Sequence, residues 1–290
     1  MRASAIAVVC LALGACGKDA GQPAVAVSSA APVEPAERAV VTASRGQVEL
    51  VRDGTVSPAK VGDRLGARDA LRTKDGEADL SVDGVKVRLH EASRIELQQV
   101  DKRALRARVR GSVESEVDQN GKLDVAVEDS DAVAHSEGGH FFVTADGKGI
   151  VAVASVTGTV HLSGGGKSVA VNNGEVGRVL GSGEAPGEPA AALRRVLLSV
   201  QWPGQRETNQ ATLPVVGRVE PGSRVFEQGQ PVTVEAGGGF RAQVPLRKGK
   251  QKIAVVTVDA LGRRKQVDTI VMRDDSLPDA RVKKKLWQWR

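Results

Sequence analysis

The sequence predicts an all-β protein in which an antiparallel β ladder, of the roll or solenoid kind, is followed by a β-sandwich. Apolar and polar residues alternate in short runs along most of the chain, as in strands with one buried face. The 290 residues include 33 glycines, no tyrosine and only 2% aromatic residues, and valine is frequent. Since β-branched residues favour strands and glycine-containing dipeptides favour turns, this composition indicates sheets and hairpins.

The clearest single element is a hairpin over residues 77–90. Its centre, Asp83-Gly84, is the dipeptide that best supplies the positive φ angles of a two-residue turn. A two-residue turn fixes the register, and the predicted apolar pairs are Val82 with Val85, Leu80 with Val87, and Ala78 with Leu89. The predicted pairs on the polar face are Ser81 with Lys86, Asp79 with Arg88, and Glu77 with His90.

A second alternating run, residues 105–117, is open to two interpretations. It could form one long strand, or it could fold back at Gly111 and place Arg108 opposite Glu114. Both arrangements keep the apolar residues on one face, so the sequence leaves the choice open.

The first 16 residues are predicted to be a lipoprotein signal peptide. Residues 3–12 form an apolar segment that is too short to span a bilayer. Residues 13–16, Leu-Gly-Ala-Cys, resemble a bacterial lipobox, in which the cysteine is acylated and becomes the first residue of the mature chain. The alternatives are an ordinary secretory signal or a short N-terminal anchor. Cys16 would be the only cysteine of the mature chain, so no disulfide is expected.

The predicted location is the bacterial cell envelope. Acyl chains on Cys16 would hold the chain to a membrane. The next residue is Gly17 rather than aspartate, which by resemblance to the known sorting rule favours the outer membrane, with the protein facing the periplasm. Residues 17–42 are rich in Ala, Pro, Val and Ser without periodicity, and are predicted to be a disordered tether.

The net charge of +6 does not indicate a nucleic-acid partner. Five basic residues lie within residues 281–290, so the rest of the chain is near neutral. Aromatic residues on which bases could stack are scarce. No nucleic acid is therefore expected among the partners.

Residues 43–183 are predicted to be the first domain, and residues 43–181 resemble a FecR domain. The matching segments, in chain order, are residues 46–48, 61–65, 71–76, the hairpin at Asp83-Gly84, 105–113, 139–143, 151–156, 158–160 and 173–175. The best-known members are periplasmic parts of sigma-factor regulators that sense a transducer protein. Those members also have a cytoplasmic helical domain and a transmembrane helix, which this sequence does not predict. The resemblance therefore implies a β-rich envelope module that works by protein contact, and these departures from the family pattern argue against direct binding of a sigma factor.

The second half is predicted to be a linker, residues 184–195, and a β-sandwich, residues 196–274. Short alternating runs are separated by regularly spaced turns at Pro221-Gly222, Gln228-Gly229, residues 237–239, Lys248-Gly249 and residues 259–262. The run from Val215 to Arg263 resembles a bacterial immunoglobulin-like module of the glucodextranase B-domain kind. That resemblance implies an accessory domain.

The tail, residues 275–290, differs from both domains. Lys283, Lys284 and Lys285 precede Trp287 and Trp289. It is either a solvated chain end or a basic-aromatic segment that contacts an anionic membrane or a partner groove.

No catalytic, cofactor-binding or metal-binding residue is predicted. Residues 163–168 resemble a phosphate loop, but a strand pattern follows where a helix is required, so a hairpin turn is expected. Residues 135–140 contain two histidines, but their spacing is not that of a known metal site. These residues are expected to form a loop and the beginning of a strand. Trp202 is interpreted as a core residue rather than a sugar platform.

The predicted function is therefore non-enzymatic. We expect a lipid-anchored envelope protein that contacts another envelope protein, as a scaffold or signalling component. The alternatives are a glycan- or peptidoglycan-binding module, which would need exposed aromatic residues, and an accessory part of a hydrolase.

Overall fold

The computed structural model describes residues 38–204 and 206–276, and in this part of the chain the protein is all-β. The predicted signal peptide with Cys16, most of the tether, and the tail residues from 277 onward lie outside the described residues. No helix that is long and apolar enough to cross a bilayer occurs within the described ranges. The strands are β1 (Ala39–Arg45), β2 (Val48–Arg52), β3 (Thr55–Pro58), β4 (Arg64–Leu65), β5 (Ala70–Thr73), β6 (Glu77–Val82), β7 (Val85–Leu89), β8 (Arg94–Asp101), β9 (Ala104–Val117), β10 (Lys122–Val127), β11 (Val133–Ser136), β12 (Gly139–Ala145), β13 (Val151–Thr157), β14 (Val160–Gly164), β15 (Lys167–Val171), β16 (Glu175–Val179), β17 (Ala190–Ala191), β18 (Leu198–Gln201), β19 (Glu207–Thr208), β20 (Thr212–Val219), β21 (Arg224–Glu227), β22 (Gln230–Val232), β23 (Gly239–Pro245), β24 (Gly249–Val258) and β25 (Arg264–Arg273).

Strands β1–β17, which we call the first module, form two sheets joined by β9. Sheet A has the order β4-β1-β6-β7-β9-β12-β13-β16-β17. Sheet B has the order β3-β2-β5-β8-β9-β10-β11-β14-β15. Buried side chains of both sheets, among them Phe141 of sheet A and Leu71 of sheet B, belong to one core. The two sheets therefore pack face to face, and the chain passes repeatedly from one to the other, which confirms the predicted ladder.

The hairpin over residues 77–90 has the predicted register. Val82 pairs with Val85, and Ala78 pairs with Leu89. On the polar face, Arg88 Nε donates to Asp79 Oδ1 over 2.8 Å. Turn chemistry, apolar period and charge pairing all specify this one register, which is why the local sequence was sufficient to predict it.

Strand β9 is one continuous strand of 14 residues, so the fold-back alternative is wrong. Its first half pairs with β8 in sheet B, and its second half pairs with β7 and β12 in sheet A. The strand crosses between the sheets at Gly111, where φ is +94°. A Cβ at this position would lie 2.3 Å from Ser93 Oγ, so glycine is required there on both grounds.

The ladder is not wholly antiparallel. Strand β10 runs parallel to the first half of β9, with Lys122 beside Ala104 and Val127 beside Val109. The parallel pairing arises because β9 ends in sheet A, and residues 118–121 then carry the chain back to the start of β9 in sheet B, where the Lys122 N–H donates to the Arg103 carbonyl over 2.7 Å. The short β19 also pairs in parallel with the end of β25.

Two predicted boundaries differ from the structure. Strand β1 begins at Ala39, and the side chains of Ala39 and Val41 are fully buried, so residues 39–42 belong to sheet A rather than to the tether. Within the predicted linker, β17 pairs with Glu175 and Val176 of β16. Composition concealed both elements because a short alanine-containing segment forms a strand only when neighbouring strands supply its hydrogen bonds, as β6 does for β1 and β16 does for β17.

Strands β18–β25, which we call the second module, form the predicted β-sandwich. One sheet has the order β18-β20-β23, and the other has the order β19-β25-β24-β21-β22. Phe240, Ile253 and Val255 are buried between them in a separate core. The predicted turn at Pro221-Gly222 lies between β20 and β21, with Gly222 at a φ of +81°.

Candidate functional site

The predicted lipidation site and the basic-aromatic residues of the tail lie outside the described residues. They are Cys16, Lys283, Lys284, Lys285, Trp287 and Trp289. Trp202 is half-buried and packs against the core of the second module. This position agrees with a core role and leaves Trp202 unsuited to be a flat, open sugar platform.

The two histidines of residues 135–140 lie in different sheets. His135, on β11 of sheet B, places Nδ1 2.6 Å from Asp124 Oδ1. His140, on β12 of sheet A, places Nε2 2.8 Å from Glu114 Oε1. Within residues 38–204 and 206–276, no group of three or more His, Cys, Asp or Glu side chains is arranged to hold a metal ion.

Residues 163–168 form the predicted hairpin turn. Gly164 pairs with Lys167, and the turn residues Gly165 and Gly166 have φ angles of +52° and +74°. Both central residues therefore have the positive φ angles of a type I′ turn, which joins β14 to β15.

The second module is fixed to the outer face of sheet A by an apolar contact. Phe142, Ala152 and Ala154 of sheet A form a buried cluster with Val176 and with Ala260 from the β24–β25 turn. This part of the outer face carries small apolar residues, whereas the other end of the same face carries the charged pairs of β6, β7 and β9. The second module therefore covers the apolar part and leaves the charged part in solvent.

Three arginines surround this apolar contact. Arg178 pairs with Glu220, and its Nε donates to the carbonyl of Pro221 over 2.9 Å. Arg263 pairs with the buried Asp259 and donates to the carbonyl of Leu193 over 2.7 Å. The Arg178 and Glu220 side chains are only 18% and 13% exposed, so this ion pair is shielded from water. Removing either partner would leave the other charge buried and uncompensated.

Arg224, the third arginine, extends from β21 of the second module to the loop between β7 and β8 of the first. Its Nη1 donates to the carbonyl of Glu91 over 2.9 Å, and its Nη2 donates to the carbonyl of Ala92 over 2.7 Å. Its guanidinium carbon lies 4.8 Å from the centre of the Phe226 ring. Burial lowers the pKa of Arg224 to about 10, and the neighbouring Glu91 opposes this shift, so the guanidinium remains charged at neutral pH.

The edges of the two large sheets are the surfaces most relevant to partner binding, because an unpaired edge presents free backbone donors and acceptors. In sheet A, both edge strands, β4 and β17, have two residues each. In sheet B, the edge strand β3 ends in Pro58, whose backbone lacks an N–H donor. These three edges are therefore short or blocked.

The fourth edge, β15, is longer and carries no proline. Among the described residues β15 pairs only with β14. Because Gly164 and Lys167 flank a two-residue turn, they form a hydrogen-bonded pair, and the ladder alternates from there. The N–H and C=O groups of Ser168 and Ala170 consequently point away from β14, toward the open side of the sheet.

The β15 edge is held in place by its turn. Asp131 Oδ2 accepts a hydrogen bond from the Gly165 N–H over 2.6 Å, and Asp131 Oδ1 accepts one from the Gly183 N–H over 3.1 Å. The hydrogen bond from Gly165, together with that from Gly183, holds the pKa of the exposed Asp131 carboxyl below its usual value, although desolvation acts in the opposite direction. The edge is therefore presented on a fixed support rather than on a loose hairpin.

The sequence predicts the β14–β15 hairpin. It does not indicate that β15 is an open edge strand, nor the contacts made by Asp131 and Arg224. The Gly165-Gly166 turn was a sufficient local signal for the hairpin. Whether a strand has a neighbour on its second side depends on the whole sheet, and no local pattern around Ala170 carries that information.

Comparison with known proteins gave structural similarities only. Two crystal structures of a candidate anti-sigma factor from Parabacteroides distasonis are 16% and 17% identical, each with a TM-score of 0.36 and coverage of 41% of this chain. The match spans 57% of the length of that protein. A polysaccharide lyase is 11% identical with a TM-score of 0.21, and the match covers 82% of this chain and 40% of the lyase. No family model and no curated protein matches the chain.

Proposed function

We propose that this chain is a non-enzymatic, lipid-anchored protein of the bacterial cell envelope that acts through contacts with another envelope protein. The lipobox-like residues 13–16 support the anchor on Cys16, and Gly17 favours the outer membrane. The FecR-like pattern of the first module and the immunoglobulin-like pattern of the second support a role as scaffold or signalling component.

The open β15 edge is the observation that carries this proposal. An extended segment of a partner can add to such an edge as a further strand, with main-chain hydrogen bonds for affinity. Ser168 and Ala170 offer two N–H donors and two C=O acceptors in the required direction. At about 0.5–1.5 kcal/mol each, four hydrogen bonds supply a modest but useful part of a binding free energy.

The docked second module supports the same role. Because it is fixed to sheet A through Phe142, Arg178 and Arg224, the β15 edge has a defined orientation with respect to both modules. A scaffold that positions a partner requires such a defined geometry.

The proposal is tested with two proline variants of the full-length chain. Ala170→Pro removes one outward N–H at the open edge and places a ring in the path of an added strand, while the β14–β15 ladder is retained. Val56→Pro is the matched control, since Val56 lies opposite Val51 in the β2–β3 hairpin, and its N–H also points outward. We expect affinity capture from envelope membranes to recover the same partner with the wild type and Val56→Pro, and to lose it with Ala170→Pro. Equal recovery by all three proteins would refute the edge as the binding surface.

A further inference from the structure

The junction between the two modules contains a cleft of about 190 Å³. Its lining includes Arg110, Asp146 and Lys148 of the first module and Ser223, Arg224 and Thr233 of the second. Pockets for drug-sized ligands usually occupy about 300–1,000 Å³. The cleft is smaller than this, so a ligand that fits it has only a few non-hydrogen atoms.

Three cations line this cleft, and none of them is paired with a carboxylate of the described residues. Lys148 Nζ donates to the neutral hydroxyl of Thr233 over 2.9 Å. Arg224 donates to two backbone carbonyls and to Ser93 Oγ, all of them uncharged acceptors. Arg110 has neither a hydrogen-bond nor an ion-pair partner within residues 38–204 and 206–276.

Arg110 is nevertheless held at the cleft. Its guanidinium lies against Gly147, where a Cβ would be only 2.6 Å from Arg110 Nε. Gly147 has a φ of +74°, so both the backbone and the space at this position favour glycine. The arginine therefore lies over the loop that carries Asp146 and Lys148.

Asp146 is the only acidic residue among the described residues that line the cleft, and its carboxylate binds backbone groups of its own loop. Oδ1 accepts hydrogen bonds from the N–H groups of Lys148 and Ile150 over 2.7 Å and 3.0 Å. Oδ2 is buried and has no hydrogen-bond partner among the described residues. Asp146 thus shapes the loop, and the cleft retains an excess of positive charge.

The position of Arg224 is coupled to the bend of β9 that carries Arg110. Ser93 Oγ accepts a hydrogen bond from the Ser112 N–H over 2.9 Å and one from Arg224 Nη1 over 3.2 Å. A buried cation without a carboxylate partner is costly, and an anion in the cleft would offset that cost.

We propose that the junction cleft is a binding site for a small oxyanion, either a carboxylate or a phosphate group, held by Arg110, Lys148 and Arg224. Planar guanidinium groups match both kinds of oxyanion, and an ammonium group adds a point charge. The site goes beyond the proposed function, since it lies at the module junction and uses no residue of the β15 edge.

Isothermal titration of the full-length chain tests the site, with inorganic phosphate in one arm and acetate in the other, at constant ionic strength maintained with chloride. Binding of phosphate or of acetate by the wild type is expected, and the arm that responds identifies the oxyanion. Arg110→Gln and Lys148→Gln should each weaken binding about tenfold, because each removes a charged donor.

Arg108→Gln is the matched control, since Arg108 is an exposed residue of the same strand that does not line the cleft. It should bind like the wild type. No binding in either arm by the wild type, or an equal loss in Arg108→Gln and Arg110→Gln, would overturn the proposal. Because Arg110 and Lys148 are both exposed, these variants should fold normally, and equilibrium unfolding of each verifies this.

Discussion

The docking of the second module can be tested at Gly222, in the turn between β20 and β21. An alanine Cβ at this position would lie 2.6 Å from Ala152 Cβ. Ala152 is fully buried on β13 of sheet A, so its methyl group has little freedom to move. Gly222→Ala should therefore force the turn away from sheet A.

Gly229→Ala provides a matched control for backbone strain. Gly222 and Gly229 have φ angles of +81° and +79°, but nothing lies within 4 Å of a Cβ at Gly229. A left-handed conformation costs an alanine about 1–2 kcal/mol at either site. Overpacking adds about 1–3 kcal/mol at Gly222 only. We expect a loss of about 2–5 kcal/mol in the free energy of unfolding for Gly222→Ala and about 1–2 kcal/mol for Gly229→Ala.

The assay is equilibrium urea unfolding of the full-length chain, followed by far-ultraviolet circular dichroism. A larger loss for Gly222→Ala, or a separate early transition of the second module in that variant, would agree with a packed junction. Equal losses for the two variants would contradict close packing at the junction, because the contact with Ala152 would then contribute nothing.

Three further predictions concern the first module and the anchor. Gly111→Ala should destabilise the chain more than Gly54→Ala in the same urea assay. Both glycines have positive φ angles, but only at Gly111 would the added Cβ clash with Ser93. Equal effects of the two substitutions would contradict the close packing at the bend of β9. Burial raises the pKa of Asp69, but hydrogen bonds from Arg52 and from the Gly66 N–H outweigh this effect and hold it below its usual value. The resulting stabilisation is complete above the ordinary aspartate pKa of about 3.9 and is lost as the pH falls further. Asp69→Asn should therefore lower the free energy of unfolding at pH 7 and flatten the dependence of stability on acid pH. A stability–pH profile of the variant that runs parallel to that of the wild type would count against the Arg52–Asp69 ion pair as its source. Cys16→Ser should move the protein from the membrane to the soluble fraction of cell extracts, whereas unchanged membrane association would argue against acylation.

Local structure was predictable where turn chemistry and alternation specify the same register. The hairpins at Asp83-Gly84 and at Gly165-Gly166 each contain a complete set of these signals within about a dozen residues. The sandwich turn at Pro221-Gly222 was predictable for the same reason.

The pairing between distant segments was not predictable in the same way. The two halves of β9 have one continuous alternation, and the crossing between the sheets is seen only in their different partners, β8 for the first half and β7 and β12 for the second. Similarly, Arg224 has an ordinary strand position in the sequence, and its role depends on the carbonyls of Glu91 and Ala92, more than 130 positions away along the chain. Such contacts leave no periodic signal in a single sequence.

The most direct test of a protein-binding role at the β15 edge is site-specific photo-crosslinking in living cells. A photoreactive side chain at Ala170 would lie next to the cross-strand side chain of an added strand, and the same residue at Val56 would report on the proline-blocked edge of the same sheet. A discrete crosslinked species of defined mass is expected from position 170 and none from position 56. An absence of crosslinking at 170, or the same products from both positions, would contradict a protein-binding role at the β15 edge.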